Sequence, residues 1–189
     1  MKKEWFALFS QTGSEIADII NKRDKLPSKI FTNNADVNSW HPDIKALHEE
    51  GLNSFKGESR VVVVKPQQAK TCNFLHKYVR KNDLVTLHGW LRIVPADKCE
   101  YYNIVNGHPG LINIYPELKG KDPQIRFWEN KKNYALYGAV VHKCTPTVDG
   151  GEIFTTASAY NNIKSKDRLF SSFKEASLVS WMKYFNQFE

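Results

Sequence analysis

The sequence predicts an α/β fold in which a mostly parallel but mixed sheet is flanked by helices. Short apolar runs of strand length alternate with longer amphipathic segments, the pattern of βαβ units. The run 61–64 consists of four valines, which favours a strand buried on both faces. Two strand-like runs then follow each other without an intervening helix near the C-terminus, so we expect a mixed sheet.

The elements can be placed in order along the chain. Strands are predicted over 5–9, 29–32, 60–65, 84–88, 102–106, 134–143 and 152–160. Helices are predicted over 14–22, 69–79, 122–130 and 169–185 from apolar residues at helical spacing, such as Ile16, Ile19 and Ile20. Few apolar residues lie within 33–59, where we expect mostly loops.

Length and composition predict one globular domain over residues 1–189. The chain has 41% hydrophobic and 25% charged residues, which argues against disorder. No apolar run approaches the roughly 18 residues that a membrane span requires. The apolar stretch at 5–9 is too short for a signal peptide, so we expect a soluble cytoplasmic protein.

The spacing of the cysteines and the net charge limit the kinds of ligand that we expect. Three widely spaced cysteines indicate a reducing compartment, and the lack of Cys-x-x-Cys and His-x-x-x-His spacings predicts no metal site. The net charge of +7 fits an anionic ligand such as a phosphate or a polyglutamate tail, or simply a solvated basic surface. Because the cations are dispersed and no RNA-binding motif is present, nucleic acid is not the expected partner.

The loop after the first strand contains Gly13, Ser14 and Glu15 at the start of a helix. The carboxyl ends of parallel strands are where α/β proteins bind ligands, and a helix N-terminus suits a phosphate. The alternative is a structural turn in which Ser14 caps the helix.

Two further segments carry groups suited to acyl transfer. Asn106 and His108 stand two apart at a strand end, so an amide donor and an imidazole could serve one tetrahedral oxyanion. Asp149, followed by two glycines, could hold His108 and raise its pKa, since an opposite charge favours the imidazolium. The alternatives are a turn with a surface histidine and a tight hairpin.

The segment 88–95 follows another strand and combines apolar residues with one arginine. Trp90, Leu91, Ile93 and Val94 could enclose a flat heterocycle while Arg92 holds a charged tail. The alternative is a core residue followed by a turn.

In this order, the motifs resemble those of the formyltetrahydrofolate-dependent formyltransferases. The matching segments are Gly13-Ser14-Glu15, Gly89-Trp90-Leu91-Arg92-Ile93-Val94, Asn106-Gly107-His108-Pro109-Gly110, Gly138-Ala139-Val140-Val141-His142 and Asp149-Gly150-Gly151. Within this family the likeness is greatest to the enzymes that formylate phosphoribosylglycinamide. It implies a Rossmann-like formyltransferase fold.

The resemblance also implies roles for these residues. Asn106, His108 and Asp149 would be catalytic, and Trp90 to Val94 would bind the co-substrate 10-formyltetrahydrofolate. Gly13, Ser14, Glu15 and Glu175 would bind a phosphorylated amine, with 5′-phosphoribosylglycinamide as the favoured acceptor. Glu15 and Gly110 depart from the Asn and Ser of the family.

Other functions stay open at this point. A sugar-nucleotide amine or a modified nucleotide could be the acceptor. The chain could also hydrolyse the same folate, or bind it without turnover. A formylated methionyl-tRNA product is disfavoured because that subfamily has an added C-terminal domain. The oligomeric state is not predicted.

Overall fold

A computed structural model describes residues 3–54 and 57–188. It contains seven strands in the order β3-β2-β1-β4-β5-β6-β7. Their bounds are β1 Trp5–Phe9, β2 Lys29–Thr32, β3 Val61–Val63, β4 Leu84–His88, β5 Asn103–His108, β6 Leu136–Lys143 and β7 Ile153–Tyr160. Strand β1 pairs in parallel with β2 and β4, whereas β6 and β7 are antiparallel. The predicted mixed sheet is confirmed.

Seven α-helices connect or flank these strands. Their bounds are α1 Ser14–Arg23, α2 Pro42–Leu52, α3 Pro66–Thr71, α4 Leu75–Tyr78, α5 Ala96–Tyr101, α6 Pro123–Glu129 and α7 Lys166–Phe188. Three short 3₁₀ turns lie at Val37–Ser39, Pro116–Leu118 and Lys131–Asn133. Among the described residues, no helix has both the length and the apolar composition needed to cross a membrane.

The chain forms two compact units, residues 1–105 and 106–189. In the first unit every residue of β1 is buried, which follows from its apolar sequence and its central place between β2 and β4. In the second unit α7 packs on β6 and β7, and the largest fully buried side chain there is Trp181. That residues 1–189 form a single domain stays a prediction.

Three predictions of local structure were wrong. Helix α2 lies inside 33–59, where a histidine N-cap and Pro42 at the first position start a helix that buries only Ile44. The predicted helix 69–79 is two short helices, because Cys72 adopts a left-handed conformation with φ of 51°. Helix α5 was not predicted at all.

Strand β3 also differs from its prediction. It covers only Val61–Val63 and lies at the edge of the sheet, next to β2. Val61 is buried, but Val63 is 41% exposed, so the strand is not buried on both faces. A run of β-branched residues predicts a strand, but it does not determine whether that strand is central or peripheral.

Candidate active site

The end of β5 positions two of the predicted catalytic side chains. Because alternate residues of a strand point to the same face, Asn106 and His108 project together. Gly107 points the other way, onto the indole of Trp181. A Cβ atom at Gly107 would lie 2.6 Å from Nε1 of that indole, so only glycine fits between the strand and α7. The strand end is thereby held against the core of the second unit.

Asp149 lies in the connection between β6 and β7. Its backbone has a positive φ of 48°, which aspartate tolerates better than most residues. A Cβ at Gly151 would lie 1.9 Å from the carbonyl oxygen of Lys143, so a side chain is excluded there. The sequence Asp-Gly-Gly therefore forms the tight turn predicted as the structural alternative, while it also directs the carboxylate of Asp149 inward.

The structure brings His108 and Asp149 together. Nδ1 of His108 lies 3.2 Å from Oδ2 of Asp149, and both side chains are more than nine-tenths buried. On the other side of the ring, Nε2 of His108 donates to the carbonyl oxygen of Leu118 at 2.9 Å. The backbone N–H of Gly120 donates to Oδ2 of Asp149 at 2.7 Å. The pair is thus held by backbone groups of one loop.

His142, on β6, completes the cluster and was not predicted as a site residue. Its Nε2 atom lies 3.1 Å from Nδ2 of Asn106 and 3.3 Å from Oδ1 of Asp149. Its Nδ1 atom donates to the carbonyl oxygen of Lys143 at 2.9 Å. The sequence carried a sign of this role, since His142 ends the Gly-x-x-Val-His motif that precedes Asp149.

Asp149 is ionised across the physiological pH range. Burial would raise the pKa of its carboxyl group, but the His142 hydrogen bond, the charge of His108 and the Gly120 amide outweigh that effect. Together they lower the pKa from 3.8 to about 2. The cluster therefore contains one stable negative charge.

The expected rise in the pKa of His108 does not occur. Burial lowers the pKa of this imidazole below its usual 6.5, and this effect is larger than the upward effects of Asp149 and of the Leu118 carbonyl. Electrostatic effects of His142 and Arg126 also lower the pKa of His108. The direction of the Asp149 effect was predicted correctly, but the desolvation of a nearly buried ring cannot be inferred from sequence.

The first unit contains the predicted phosphate loop. Gly13, with φ of 73°, is the N-cap of α1, so the alternative in which Ser14 caps the helix is wrong. Gly13 supplies no side-chain cap, and the N–H of Ser14 donates to the hydroxyl of Thr12 at 3.3 Å. Glu15 instead directs Oε2 to Nδ1 of His88 at 2.7 Å, and the His88 side chain is fully buried. Nε2 of His88 lies 2.8 Å from the hydroxyl of Thr86.

The predicted folate loop, residues 90–94, is anchored at both ends. Trp90 and Val94 are buried, whereas Leu91 and Ile93 are 56% and 72% exposed and Arg92 is exposed too. The backbone N–H of Leu91 donates to the Ser10 hydroxyl at 2.9 Å. The loop therefore holds two apolar side chains and one cation in solvent on a fixed backbone. Such exposure of large apolar residues is typical of a binding surface.

Two of the predicted binding residues, Trp90 and Glu175, lie in different environments. Trp90 packs edge-on against Phe74, and its indole N–H has no partner among the residues that the structure describes. Glu175 lies exposed on α7 in the second unit. Asn106, His108 and Asp149 share one cluster in that unit, while residues 13–15 and 90–94 belong to the first.

Comparisons with known proteins confirm the resemblance in sequence. No protein-family model matches the chain. A phosphoribosylglycinamide formyltransferase from Dictyostelium discoideum is 30% identical over 113 residues, covering 53% of this chain and 54% of that protein. The match thus spans about half the length of this curated relative.

Solved structures confirm the fold. A phosphoribosylglycinamide formyltransferase from Campylobacter jejuni subsp. jejuni NCTC 11168 superposes with a TM-score of 0.73 at 21% identity, covering 98% of both chains. The enzyme from Anaplasma phagocytophilum gives a TM-score of 0.71 at 22% identity, covering 95% of this chain and 83% of that one. The chain has the Rossmann-like α/β fold of these formyltransferases.

Proposed function

We propose that this protein transfers a formyl group from 10-formyltetrahydrofolate to the primary amine of a small phosphorylated acceptor, with 5′-phosphoribosylglycinamide as the favoured acceptor. The observation that carries the proposal is the cluster of Asn106, His108 and Asp149. It combines an amide donor, an imidazole and an ionised carboxylate within hydrogen-bonding distances in a largely buried setting. The fold and the partial sequence match support the same activity. We place the protein in the cytoplasm.

The reaction requires the amine nitrogen to attack the formyl carbon directly. A C–N bond forms at the acceptor, the bond from the formyl carbon to N10 of the folate breaks, and one proton moves from the amine to N10. Charge develops on the formyl oxygen between these events. Asn106 would donate to this oxygen, because its Nδ2 carries two N–H groups and, besides the His142 ring at 3.1 Å, has only a long 3.5 Å contact to Asp149.

His108 would move the proton. Because its pKa is lowered, the ring is mainly neutral at pH 7 and can accept the proton that the amine releases. Asp149 then stabilises the imidazolium across the 3.2 Å contact until the proton passes to N10. This modifies the role expected from sequence, in which His108 was charged at the outset.

The donor-binding role of residues 90–94 rests on the exposure pattern of this loop. Leu91 and Ile93 present apolar surface that would cover the folate heterocycle, and Arg92 would meet the carboxylates of the glutamate tail. The buried Trp90 indole N–H has no partner among the residues that the structure describes, and it would become a further donor if the loop moved on binding. These features fit the donor, with no metal required at the cluster.

The acceptor role of residues 13–15 rests on the start of α1, where the N-cap Gly13 has no side chain. Backbone N–H groups of this turn would meet a phosphate, which at Ser14 would replace the Thr12 hydroxyl. The Glu15 carboxylate is directed to His88 at 2.7 Å. Glu175 would contact the ribose.

An absorbance assay for the tetrahydrofolate product tests the proposal. Purified protein is supplied with 10-formyltetrahydrofolate and a panel of phosphorylated amines, including 5′-phosphoribosylglycinamide and a sugar-nucleotide amine. Formylated phosphoribosylglycinamide, verified by mass spectrometry, is the expected product. Turnover with another amine alone would identify that amine, and not 5′-phosphoribosylglycinamide, as the acceptor. Free formate would indicate a hydrolase, and folate binding without turnover would contradict the enzymatic proposal.

The site variants separate chemistry from folding. His108→Ala and Asp149→Asn should reduce transfer by on the order of a hundredfold or more, while thermal unfolding stays cooperative. Asp167→Asn, at an exposed position of α7, is the control and should keep wild-type rates. Wild-type rates in the two site variants would exclude these residues from the mechanism.

A further inference from the structure

We infer that Arg126 is a positioning residue for the His108–Asp149 pair, acting through the backbone of residues 117–121. Its guanidinium donates to three carbonyl groups of this loop. Nε donates to Glu117 at 3.2 Å, Nη2 to Lys119 at 2.6 Å, and Nη1 to Lys121. Arg126 lies on α6, which follows the loop directly, so the side chain closes a ring of ten residues.

Two peptide groups of this loop contact the pair. The carbonyl of Leu118 accepts from Nε2 of His108, and the N–H of Gly120 donates to Oδ2 of Asp149. The Gly120 N–H and the Lys119 carbonyl belong to one planar peptide group, so Arg126 holds the group that donates to Asp149. The Leu118 carbonyl lies in the intervening peptide group, which shares Cα atoms with groups that Arg126 holds on both sides, so its orientation is restricted as well.

A planar guanidinium suits this task better than an ammonium group. It presents five N–H donors in a rigid fork, so one side chain can satisfy several carbonyls in a fixed geometry. The loop benefits from such a restraint because Gly120 adopts a positive φ of 83°, and a Cβ built there would meet no described atom within 4 Å. The side chain of Leu118 is buried, which anchors the loop at one further point.

Only the expected effect of Arg126 on kcat rests on the proposed function. Its effect on the position of the loop can be measured in the unliganded protein. In Arg126→Gln, amide hydrogen exchange at Gly120 should accelerate about tenfold or more, because the hydrogen bond to Asp149 opens more often. Exchange at Val140, in the middle of β6, should stay at the wild-type rate. The hydrogen-bonded Nε2–H of His108 should also change its nitrogen and proton chemical shifts.

The effect on catalysis is measured as kcat and KM in the folate assay with two Arg126 variants. We expect Arg126→Gln to lower kcat on the order of tenfold to a hundredfold with KM for both substrates within about threefold, since misplacement of reacting groups affects the chemical step. Arg126→Lys keeps the charge but loses the fork, so it should recover less than half of the lost rate. Arg168→Gln, which removes the same charge from an exposed position of α7, is the control.

The outcomes distinguish the two proposals. Faster Gly120 exchange without any formyl transfer in the wild-type protein would sustain the positioning role and contradict the proposed function. Unchanged exchange and shifts in Arg126→Gln would overturn the positioning role even if transfer is observed. Full recovery of kcat by lysine would also overturn it, because charge alone would then suffice.

Discussion

Nδ1 of His108 lies 3.2 Å from Oδ2 of Asp149, while Nε2 of the same ring donates to a backbone carbonyl. Both ring nitrogens thus face oxygen atoms. Either neutral tautomer leaves one lone pair opposite an acceptor, whereas the imidazolium would satisfy both. Burial opposes that charge and lowers the pKa of His108, while the Asp149 carboxylate acts in the opposite direction.

Removal of the Asp149 charge should therefore lower the pKa of His108 further. Asp149→Asn deletes the interaction that favours the imidazolium and leaves the burial that disfavours it. Titration of the His108 ring by NMR in wild type and variant measures the change. An unchanged or higher pKa of His108 in the variant would show that the carboxylate does not act on the ring.

The low pKa of Asp149 predicts that the protein loses stability over a defined range of acidic pH. Its pKa of about 2 in the folded state lies below the 3.8 of the unfolded chain, so its contribution to stability is present above pH 3.8. That contribution is lost as the pH falls from 3.8 towards 2. Allowing for screening by solvent, it amounts to about 1–2 kcal/mol.

Urea unfolding at pH 6 and pH 2.5 measures this contribution. The stability difference between wild type and Asp149→Asn should be larger at pH 6 and should shrink at pH 2.5, where the wild-type carboxylate begins to protonate. Asp167→Asn, at an exposed position in α7, controls for the removal of a carboxylate. A difference that does not change between the two pH values would contradict the assigned pKa.

His142 should support both Asn106 and Asp149. Loss of its ring in His142→Ala leaves the Asn106 amide and the Asp149 carboxylate each without one partner. We expect a roughly tenfold lower kcat and a higher pKa for Asp149, because hydrogen bonds to a carboxylate favour its charged form. Kinetics together with a carbon NMR titration of Asp149 test both effects. A lower kcat with an unchanged pKa of Asp149 would show that His142 acts on Asn106 and not on Asp149.

The sequence predicted the sheet, and the proximity of Asn106, His108 and Asp149, far better than it predicted the surroundings of these side chains. Strands β1, β2 and β4 have the predicted bounds because each is a short apolar run in the sheet interior. His142 was missed because a histidine inside an apolar strand looks like a core residue. The Leu118 and Gly120 contacts are made by backbone atoms, which no pattern of side chains reveals. The two-unit organisation arises from long-range packing, which a linear pattern does not encode.

The close packing of Gly107 on Trp181 predicts that substitutions at these two positions have non-additive effects on stability. A methyl group at Gly107 would lie 2.6–2.9 Å from three indole atoms of the fully buried Trp181. Gly107→Ala should therefore cost about 1–3 kcal/mol in unfolding free energy and also slow catalysis, since Asn106 and His108 flank the displaced residue. The cost should be smaller in a Trp181→Phe background. Additive costs in the double variant would show that the two residues do not press on each other.

The Glu15–His88 contact predicts how phosphate affinity responds to mutation. In the wild type Oε2 of Glu15 lies 2.7 Å from Nδ1 of the buried His88 imidazole, which holds the carboxylate in one position. His88→Gln should release it. The freed carboxylate would then compete with an acceptor phosphate for the positive end of the helix. We expect KM for the phosphorylated acceptor to rise about tenfold while kcat stays within about threefold.

Glu15→Gln supplies the matched test. Combined with His88→Gln it removes the competing charge, so the double variant should regain most of the lost affinity. Inhibition by inorganic phosphate provides a second measure that does not depend on the identity of the amine. If His88→Gln weakens phosphate binding equally with and without Glu15, the histidine acts by some route other than the carboxylate. If neither variant alters phosphate inhibition, the acceptor phosphate does not bind at the start of α1.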